Sequence, residues 1–264
     1  MSSSQKRSPI DRSMPLRSAG DSASEQIGKV LDDEVLWPLL FAVMTVMMAA
    51  MEWFRYLRDA RPTPYLFTIV AVISCAYFAY KLPKIRSKLK QLRLGRDGER
   101  LVANYLEDLR VHGFSIFHDI PSGDANVDHI IVGTKGIFTI ETKTLQKPLR
   151  GECKIRVANG KIYENGKVLP RNPIIQARAQ ERWLNNFLAE SKFQAKAWPM
   201  VVFPGWFVEP FDTKVEKILV VEPKQLIYKM NKLPERYSPE LVSAIVSSLR
   251  SHIRAQLEIS SAIK

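Results

Sequence analysis

Two long apolar runs near the start of the chain limit its fold more than any other feature of the sequence. Residues 36–51 (LWPLLFAVMTVMMAAM) and 63–80 (TPYLFTIVAVISCAYFAY) contain no charged side chain. A helix that crosses a bilayer needs roughly 17–25 largely apolar residues. The runs therefore predict two transmembrane helices, at about 36–55 and 63–82, joined by a short loop. The alternative is a pair of buried helices in a soluble protein. Two such runs on either side of a proline-bearing loop are rarely the core of a soluble protein, so the transmembrane interpretation is preferred.

The distribution of basic residues predicts the orientation of this hairpin. Arg55, Arg58 and Arg61 lie in or beside the loop, whereas seven basic residues and no acid lie between residues 81 and 96. By the positive-inside rule the C-terminal body faces the cytoplasm, and a two-span hairpin returns the N-terminal tail to the same side. We therefore expect a multi-pass protein of the cytoplasmic (inner) membrane. The basic run can attract anionic lipid or, alternatively, nucleic acid.

The composition favours an anionic partner and argues against a zinc site. The formal net charge of +12 indicates an anionic partner, either nucleic acid or an anionic membrane surface. Two cysteines, Cys75 and Cys153, form neither a disulfide framework nor a four-ligand zinc site. The four histidines lack the HExxH spacing, which argues against a zinc hydrolase.

The sequence divides into five segments. Residues 1–34 are polar and predict a mostly disordered cytoplasmic tail. Residues 35–83 hold the two spans, and residues 84–94 form a basic juxtamembrane linker. Residues 95–204 show helix, strand and helix patterns in an order typical of an α/β domain. Residues 205–264 predict an α/β extension.

A hairpin at residues 127–143 (VDHIIVGTKGIFTIETK) is apolar in its middle and charged at one end. If it turns at residues 134–135, Asp128 lies directly opposite Glu141. Directly opposed side chains share a face of the sheet, with Cβ atoms roughly 4.5–5.5 Å apart. Lys143 follows Glu141 by two residues and points to that same face. Two carboxylates and an ammonium are therefore expected to converge at one edge of the sheet.

This group of charges favours a hard metal ion. Two opposed carboxylates destabilise a sheet unless a cation lies between them. Oxygen ligands without Cys or His suit Mg²⁺ or Mn²⁺, which can hold a phosphate oxygen and activate a water. Lys143 could neutralise charge that develops on the phosphate. Glu99, on the preceding helix, shares the side of Val102 and Leu106 and adds a third carboxylate.

Each residue also has an interpretation without catalysis. Glu99 suits a helix N-terminus through the helix dipole. Asp128 could keep a strand edge soluble, and Glu141 with Lys143 could form an exposed ion pair. His129 points to the face opposite Asp128, which favours packing over metal binding.

The pattern resembles a known family. Asp128 followed by Glu141-Thr142-Lys143 resembles the PD-(D/E)xK nuclease signature, and Glu99 matches its frequent first-helix acid. More narrowly, the segments GRDGERLVANYLEDL, VDHIIVGTKGIFTIETK and NPIIQARAQ resemble the nuclease-related domain (NERD) family, over about residues 95–191. Val127 departs from the superfamily pattern, since a proline often precedes the aspartate.

The resemblance implies an α/β fold with a restriction-endonuclease-like mixed sheet flanked by helices, here preceded by the transmembrane hairpin. It also implies that Glu99, Asp128 and Glu141 are metal ligands and that Lys143 is the catalytic lysine. Gln176 matches the polar residue that the family often carries on the later helix, where it would contact substrate.

These observations lead to one expected function and two alternatives. We expect a membrane-tethered, Mg²⁺- or Mn²⁺-dependent nuclease that hydrolyses phosphodiester bonds of DNA through a metal-activated water. The first alternative is a non-catalytic nucleic-acid-binding or scaffold protein at the inner membrane that keeps the fold. The second is a membrane assembly factor whose acids only cap a sheet. The expected partners are DNA and the lipid bilayer, with a homo-oligomer or a membrane complex left open.

Overall fold

The computed structural model describes residues 17–58, 64–122, 126–148 and 150–262. Most of the predicted loop between the apolar runs, at residues 59–63, and the first sixteen residues of the predicted tail lie outside the described residues. The chain forms two compact units. One comprises Ser22–Leu94, and the other joins Met1–Asp21 to Gly95–Lys264.

The first unit is helical throughout its described part. Helix α1 (Asp21–Lys29) continues through a π-helical segment (Val30–Leu36) into α2 (Trp37–Tyr56), and α3 spans Pro64–Glu107. The structure thus differs from the predicted disordered tail of residues 1–34 in that its last fourteen residues, from Asp21, are helical. The predicted linker at residues 84–94 is likewise part of α3.

Within the described residues, two helical stretches are long and apolar enough to cross a membrane, Asp21–Tyr56 and Pro64–His112. Only 17% and 11% of their most apolar windows are buried, so most of their apolar side chains are exposed. Polar contacts join the two helices. Thr45 Oγ1 lies 2.8 Å from Ser74 Oγ, and Trp53 Nε1 donates to Thr68 Oγ1 at 2.9 Å.

The second unit is built on a five-stranded mixed sheet in the order β1-β2-β3-β7-β9. The first three strands are antiparallel, whereas β3, β7 and β9 are parallel. The strands are β1 (Ser115–Pro121), β2 (Asn126–Gly133), β3 (Gly136–Thr142), β7 (Ala197–Val202) and β9 (Leu219–Val221). This mixed sheet, with helices on both faces, confirms the predicted fold class.

Two apolar cores hold helices against the sheet. On one face α4 (Pro173–Glu190) and α7 (Pro239–Ala262) pack through Leu184 and Leu249. On the other face the end of α3 and helix α6 (Pro223–Asn231) pack through Leu106 and Leu226, with a 3-10 turn (Asp108–His112) after α3.

A second sheet follows the order β6-β5-β4-β8. Its strands are β4 (Lys154–Ala158), β5 (Lys161–Glu164), β6 (Lys167–Val168) and β8 (Phe207–Val208). The turns after β4 and β5 carry positive φ at both Asn-Gly dipeptides, 52° and 68° in the first, 46° and 83° in the second. Asn-Gly favours such tight hairpin turns. A short helix, α5 (Thr213–Glu216), precedes β9.

Residues 205–264, expected as a separate extension, share the core of residues 95–204. Strand β9 pairs with β7, and Ile245 and Leu249 of α7 pack against Ile130 of β2. The apolar run at residues 217–222 (KILVVE) predicts a short buried strand, and β9 is that strand, but its pattern does not indicate which strand it pairs with.

Candidate active site

The predicted hairpin has the predicted register. Gly133 pairs with Gly136 around a turn at residues 134–135, and the ladder continues to His129 opposite Ile140. Continuing this alternation brings Asp128 beside Glu141 where the ladder ends. The charge of Asp128 acts on Glu141 at this end of the hairpin, which agrees with the predicted convergence.

Asp128 is fixed by the neighbouring strand. Its Oδ2 accepts a hydrogen bond of 2.6 Å from the backbone N–H of Thr142. Burial raises the pKa of Asp128 to about 7, and this hydrogen bond opposes the rise. The charge of Asp119 raises this pKa further, whereas the nearby charge of Lys143 lowers it.

Glu141 is 6% exposed and is held by α4. Gln180 Nε2 donates to Glu141 Oε2 at 2.6 Å and lies 3.3 Å from the carbonyl oxygen of Asn126. Burial, followed by the charge of Asp128, raises the pKa of Glu141 well above its ordinary value. Gln180 and Lys143 act in the opposite direction, because both favour the ionised form.

Glu99 reaches the same group of acids from α3. Burial raises its pKa to about 8, and the charges of Asp128 and Asp119 contribute to the rise. The backbone N–H of Gly20 donates a hydrogen bond to Glu99 and partly offsets these effects. Glu99, Asp128 and Glu141, which the sequence placed in one site, therefore lie within electrostatic reach of one another.

Lys143 lies just beyond the end of β3, where its backbone N–H donates to the carbonyl oxygen of Val202 at 2.9 Å. Its side chain is half-buried, and its charge lowers the pKa of both Asp128 and Glu141. This influence is consistent with the predicted position of the ammonium on the side of the sheet that carries the two carboxylates.

Asp119 is a fourth acid that the sequence analysis did not identify. It is 3% exposed and lies on β1 between two pairs that join β1 to β2, His118–His129 and Ile120–Val127, which places it beside Asp128. Its φ of 50° is in the left-handed region, so the strand is locally distorted there. The sequence around Asp119 predicts only an apolar strand. Such a pattern does not reveal a local distortion of the backbone, so it does not indicate that this acid joins the site.

Two partners hold Asp119. Asn126 Nδ2 donates to its Oδ1 at 2.8 Å, and Arg17 Nε lies 3.1 Å from its Oδ2. The side chain of Arg17 is 13% exposed, so this ion pair is largely buried. Arg17 belongs to the polar tail that was expected to be disordered, and no periodic pattern in that tail indicates a contact with the acids.

The polar residue of α4 that contacts an acid is Gln180. Gln176, which was predicted to contact substrate, is exposed one turn earlier on the same helix. Gln180 is 5% exposed and falls on the helical stripe of the buried Ala177 and Leu184. That spacing was the available signal, because an uncharged polar side chain within a buried stripe needs a polar partner.

His129 packs away from the acids, on the opposite face, as predicted. It is fully buried, and its Nδ1 lies 2.8 Å from Nδ1 of His118. His118 Nε2 in turn lies 3.4 Å from Glu107 Oε1. Burial lowers the pKa of both imidazoles, so the pair is neutral at physiological pH.

The donor set fits a hard divalent cation by its chemistry. The three predicted ligands offer only carboxylate oxygens, the donors that Mg²⁺ and Mn²⁺ prefer. Their raised pKa values show that their negative charges are incompletely compensated by protein groups. Gln180 Oε1 is another buried oxygen beside them, and it has no hydrogen-bond partner in the described part of the chain. Within the described ranges, no three Asp, Glu, His or Cys side chains form a preassembled metal-ligand cluster.

Comparison with known proteins identifies one domain. Residues 94–204 match the family model of the nuclease-related domain, NERD, which confirms the resemblance and is consistent with the PD-(D/E)xK superfamily. A search of the curated proteins found no match. A solved structure of Pyrococcus furiosus SfsA in complex with Ca²⁺ matches at 18% identity with a TM-score of 0.23. That match covers 46% of this chain and 52%, about half, of the SfsA chain.

Proposed function

We propose, from the nuclease-related domain at residues 94–204, that the protein is a metal-dependent nuclease that hydrolyses phosphodiester bonds of DNA. One observation carries the proposal. Glu141 interacts electrostatically with Asp128, Lys143 and Glu99 at the end of a hairpin whose register is the predicted one. A family match alone implies a class of activity, whereas this geometry supplies groups that can perform it.

The acids would bind the metal, and their protein partners hold them in place. Asp128 and Glu141 would be the principal ligands of Mg²⁺ or Mn²⁺, with Glu99 as a third. When bound, such an ion polarises a phosphate oxygen and lowers the pKa of a bound water. Gln180 and the Thr142 N–H orient the two principal carboxylates, which restricts where their oxygens point.

Lys143 supplies the positive charge of the site. Its charge lowers the pKa of both Asp128 and Glu141, which supports a position of the ammonium near both carboxylates. There it can neutralise charge that develops on the phosphate oxygens during hydrolysis. Loss of this charge would reduce the rate without removing a metal ligand.

The two apolar helices would tether the nuclease to the inner membrane, with spans at about 36–55 and 63–82. The seven basic residues between positions 81 and 96 favour a cytoplasmic location for the domain that follows. This orientation would give the acids access to cytoplasmic DNA.

Cleavage assays on the full-length protein in detergent test the proposal. Wild type, Asp128→Asn and Lys143→Ala are incubated with linear and circular duplex DNA, single-stranded DNA and RNA, in Mg²⁺, Mn²⁺ or EDTA. We expect metal-dependent cleavage of DNA by the wild type only, while both variants keep the wild-type circular dichroism spectrum. Cleavage at the wild-type rate by either variant would refute the assigned site. Equal DNA binding by all three proteins without cleavage would establish the scaffold alternative instead.

A further inference from the structure

The second sheet has one buried face and one exposed face. Ile155 and Val157 of β4 and Ile162 of β5 are almost completely buried in an apolar core. Because side chains alternate along a strand, the intervening residues face outward. Arg156 is accordingly exposed and Tyr163 half-buried.

The pairing of the strands places five side chains side by side on this outward face. Lys154 pairs with Phe207, Arg156 with Tyr163, and Tyr163 with Val168. We call Lys154, Arg156, Tyr163, Val168 and Phe207 the sheet platform. Phe207 is 54% exposed and Val168 is 50% exposed, so apolar surface lies in the open beside cationic groups.

Arg156 makes a cation–π contact with its neighbour. Its guanidinium carbon lies 4.9 Å from the centroid of the Tyr163 ring. A guanidinium stacked on a ring presents its outer plane, and bases of unpaired strands stack on such planes and on aromatic rings. Phe207, diagonal to Arg156 across the β4–β8 pair, offers a second stacking surface at roughly 7–8 Å.

The rim of the platform is predominantly basic. A groove of about 580 Å³ lies beside the platform and is lined by Lys154, Arg156 and Tyr163 together with Arg150 and Asn165. Glu152 and Glu209 also line it, and Glu152 is paired with Lys154 at 2.5 Å. Together with Lys161, exposed on the outward side of β5, the cations of this face outnumber these two carboxylates. The face therefore complements a polyanion.

The platform begins close to the acids. Thr142 at the end of β3 pairs with Val202 of β7, and Phe207 follows Val202 by five residues. Five residues reach at most about 18 Å. Phe207 therefore lies within about 18 Å of the end of β7, which is paired with the end of β3 that carries Glu141.

We propose that the sheet platform binds an unpaired nucleic-acid strand and leads it to the acids, so that the substrate is single-stranded or has a single-stranded end. This inference rests on the proposed nuclease function, which it makes more specific. Duplex DNA hides the faces of its bases, so only an unpaired strand can stack on Phe207 and Arg156 while the cations contact its phosphates. A lipid surface fits less well, because Lys154 and Arg156 on the central strand separate Phe207 from Val168.

Binding measured in EDTA tests the platform separately from catalysis. Full-length protein in nanodiscs of zwitterionic lipid is titrated against a fluorescein-labelled oligothymidine and against a duplex of equal length. The test variant is Arg156→Ala/Phe207→Ala. The matched control is Lys232→Ala/Tyr228→Ala, which also removes one cation and one exposed ring, at the C-terminal end of α6. Melting temperatures confirm that both variants fold.

We expect the test variant to lose about tenfold or more in affinity for the oligothymidine and the control to lose less than twofold. Equal affinity of test variant and wild type, or tighter binding of the duplex than of the single strand, would overturn the platform. So would a selective loss of binding to anionic vesicles, which would identify the face as a lipid contact. If the platform binds as expected but no nucleic acid is cleaved, the proposed nuclease fails and the platform stands. If cleavage depends on metal but the test variant binds as the wild type does, the nuclease stands and the platform fails.

Discussion

At the scale of single residues, each acid of the site has its own protein partner. The Thr142 N–H holds Asp128, Gln180 holds Glu141, and the Gly20 N–H holds Glu99. Arg17 and Asn126 share Asp119. These contacts hold the carboxylates close enough for their like charges to repel. A bound cation would therefore meet ligands that are already oriented.

Gln180 and Gln176 provide a test of which glutamine supports the reaction. Gln180→Ala removes the hydrogen bond to Glu141, and we expect cleavage to fall about 10- to 100-fold because the ligand loses its orientation. Gln176→Ala is the matched control from the exposed side of the same helix. We expect Gln176→Ala to raise KM at most, because a residue that only contacts substrate affects binding rather than the chemical step. Initial rates over a Mg²⁺ titration distinguish the two, since only Gln180→Ala should also weaken the apparent metal affinity. A larger loss for Gln176→Ala would reverse this assignment.

At the scale of the elements, the hairpin could be predicted from sequence, whereas its neighbours could not. The glycine-flanked turn and the alternation of apolar residues defined the register of β2 and β3, and hence the meeting of Asp128 with Glu141. Asp119 and Gln180 join them through pairing between β1 and β2 and through packing of α4 on β3. A pattern within one segment does not name the partner in such long-range contacts, although the buried stripe of α4 marks Gln180 as a residue that needs one.

The close approach of α3 to the residues after β3 gives an element-scale prediction. A methyl group at Gly98 would lie 1.6 Å from Thr144 Oγ1, whereas one at Gly95 would meet nothing within 4 Å. We expect Gly98→Ala to destabilise the protein by about 1–3 kcal/mol through overpacking, and to reduce cleavage because Glu99 is the next residue. Gly95→Ala, the control in the same helix, should stabilise it by about 0.5–1 kcal/mol. Urea titrations of the full-length variants in detergent measure both. A Gly98→Ala protein as stable and active as Gly95→Ala would contradict this packing.

At the scale of the whole molecule, the two units differ in how far the sequence determined them. The apolar runs predicted both long helices of Ser22–Leu94. In the other unit, the sequence predicted a domain boundary after residue 204. The structure instead shows that β9 and α7, which follow this boundary, complete the same core. The polar composition of the tail did not predict the contacts of Arg17 and Gly20 either. Their partners, Asp119 and Glu99, are distant in sequence, so nothing within the tail indicates them.

Metal binding should change the stability of the folded protein. A ligand that binds only the folded state at about 100 times its Kd stabilises it by about 2.7 kcal/mol. We therefore expect Mg²⁺ or Mn²⁺ to raise the Tm of the full-length protein in detergent, and Asp128→Asn to abolish most of that increase. Differential scanning fluorimetry in rising metal concentration measures both. A wild-type Tm that is insensitive to both ions would support the assembly-factor alternative, in which the acids only cap a sheet.

The central claim, metal-dependent hydrolysis at the acids of the hairpin, is tested most directly by one variant. Glu141→Gln keeps the size of the side chain and removes its charge. The initial rate of cleavage of a labelled single-stranded DNA in Mg²⁺ is compared between this variant and the wild type, both full-length and both shown to be folded. We predict that the wild type cleaves and that Glu141→Gln loses at least about 100-fold of the rate. A variant rate close to that of the wild type would show that cleavage does not depend on this carboxylate and would contradict the site.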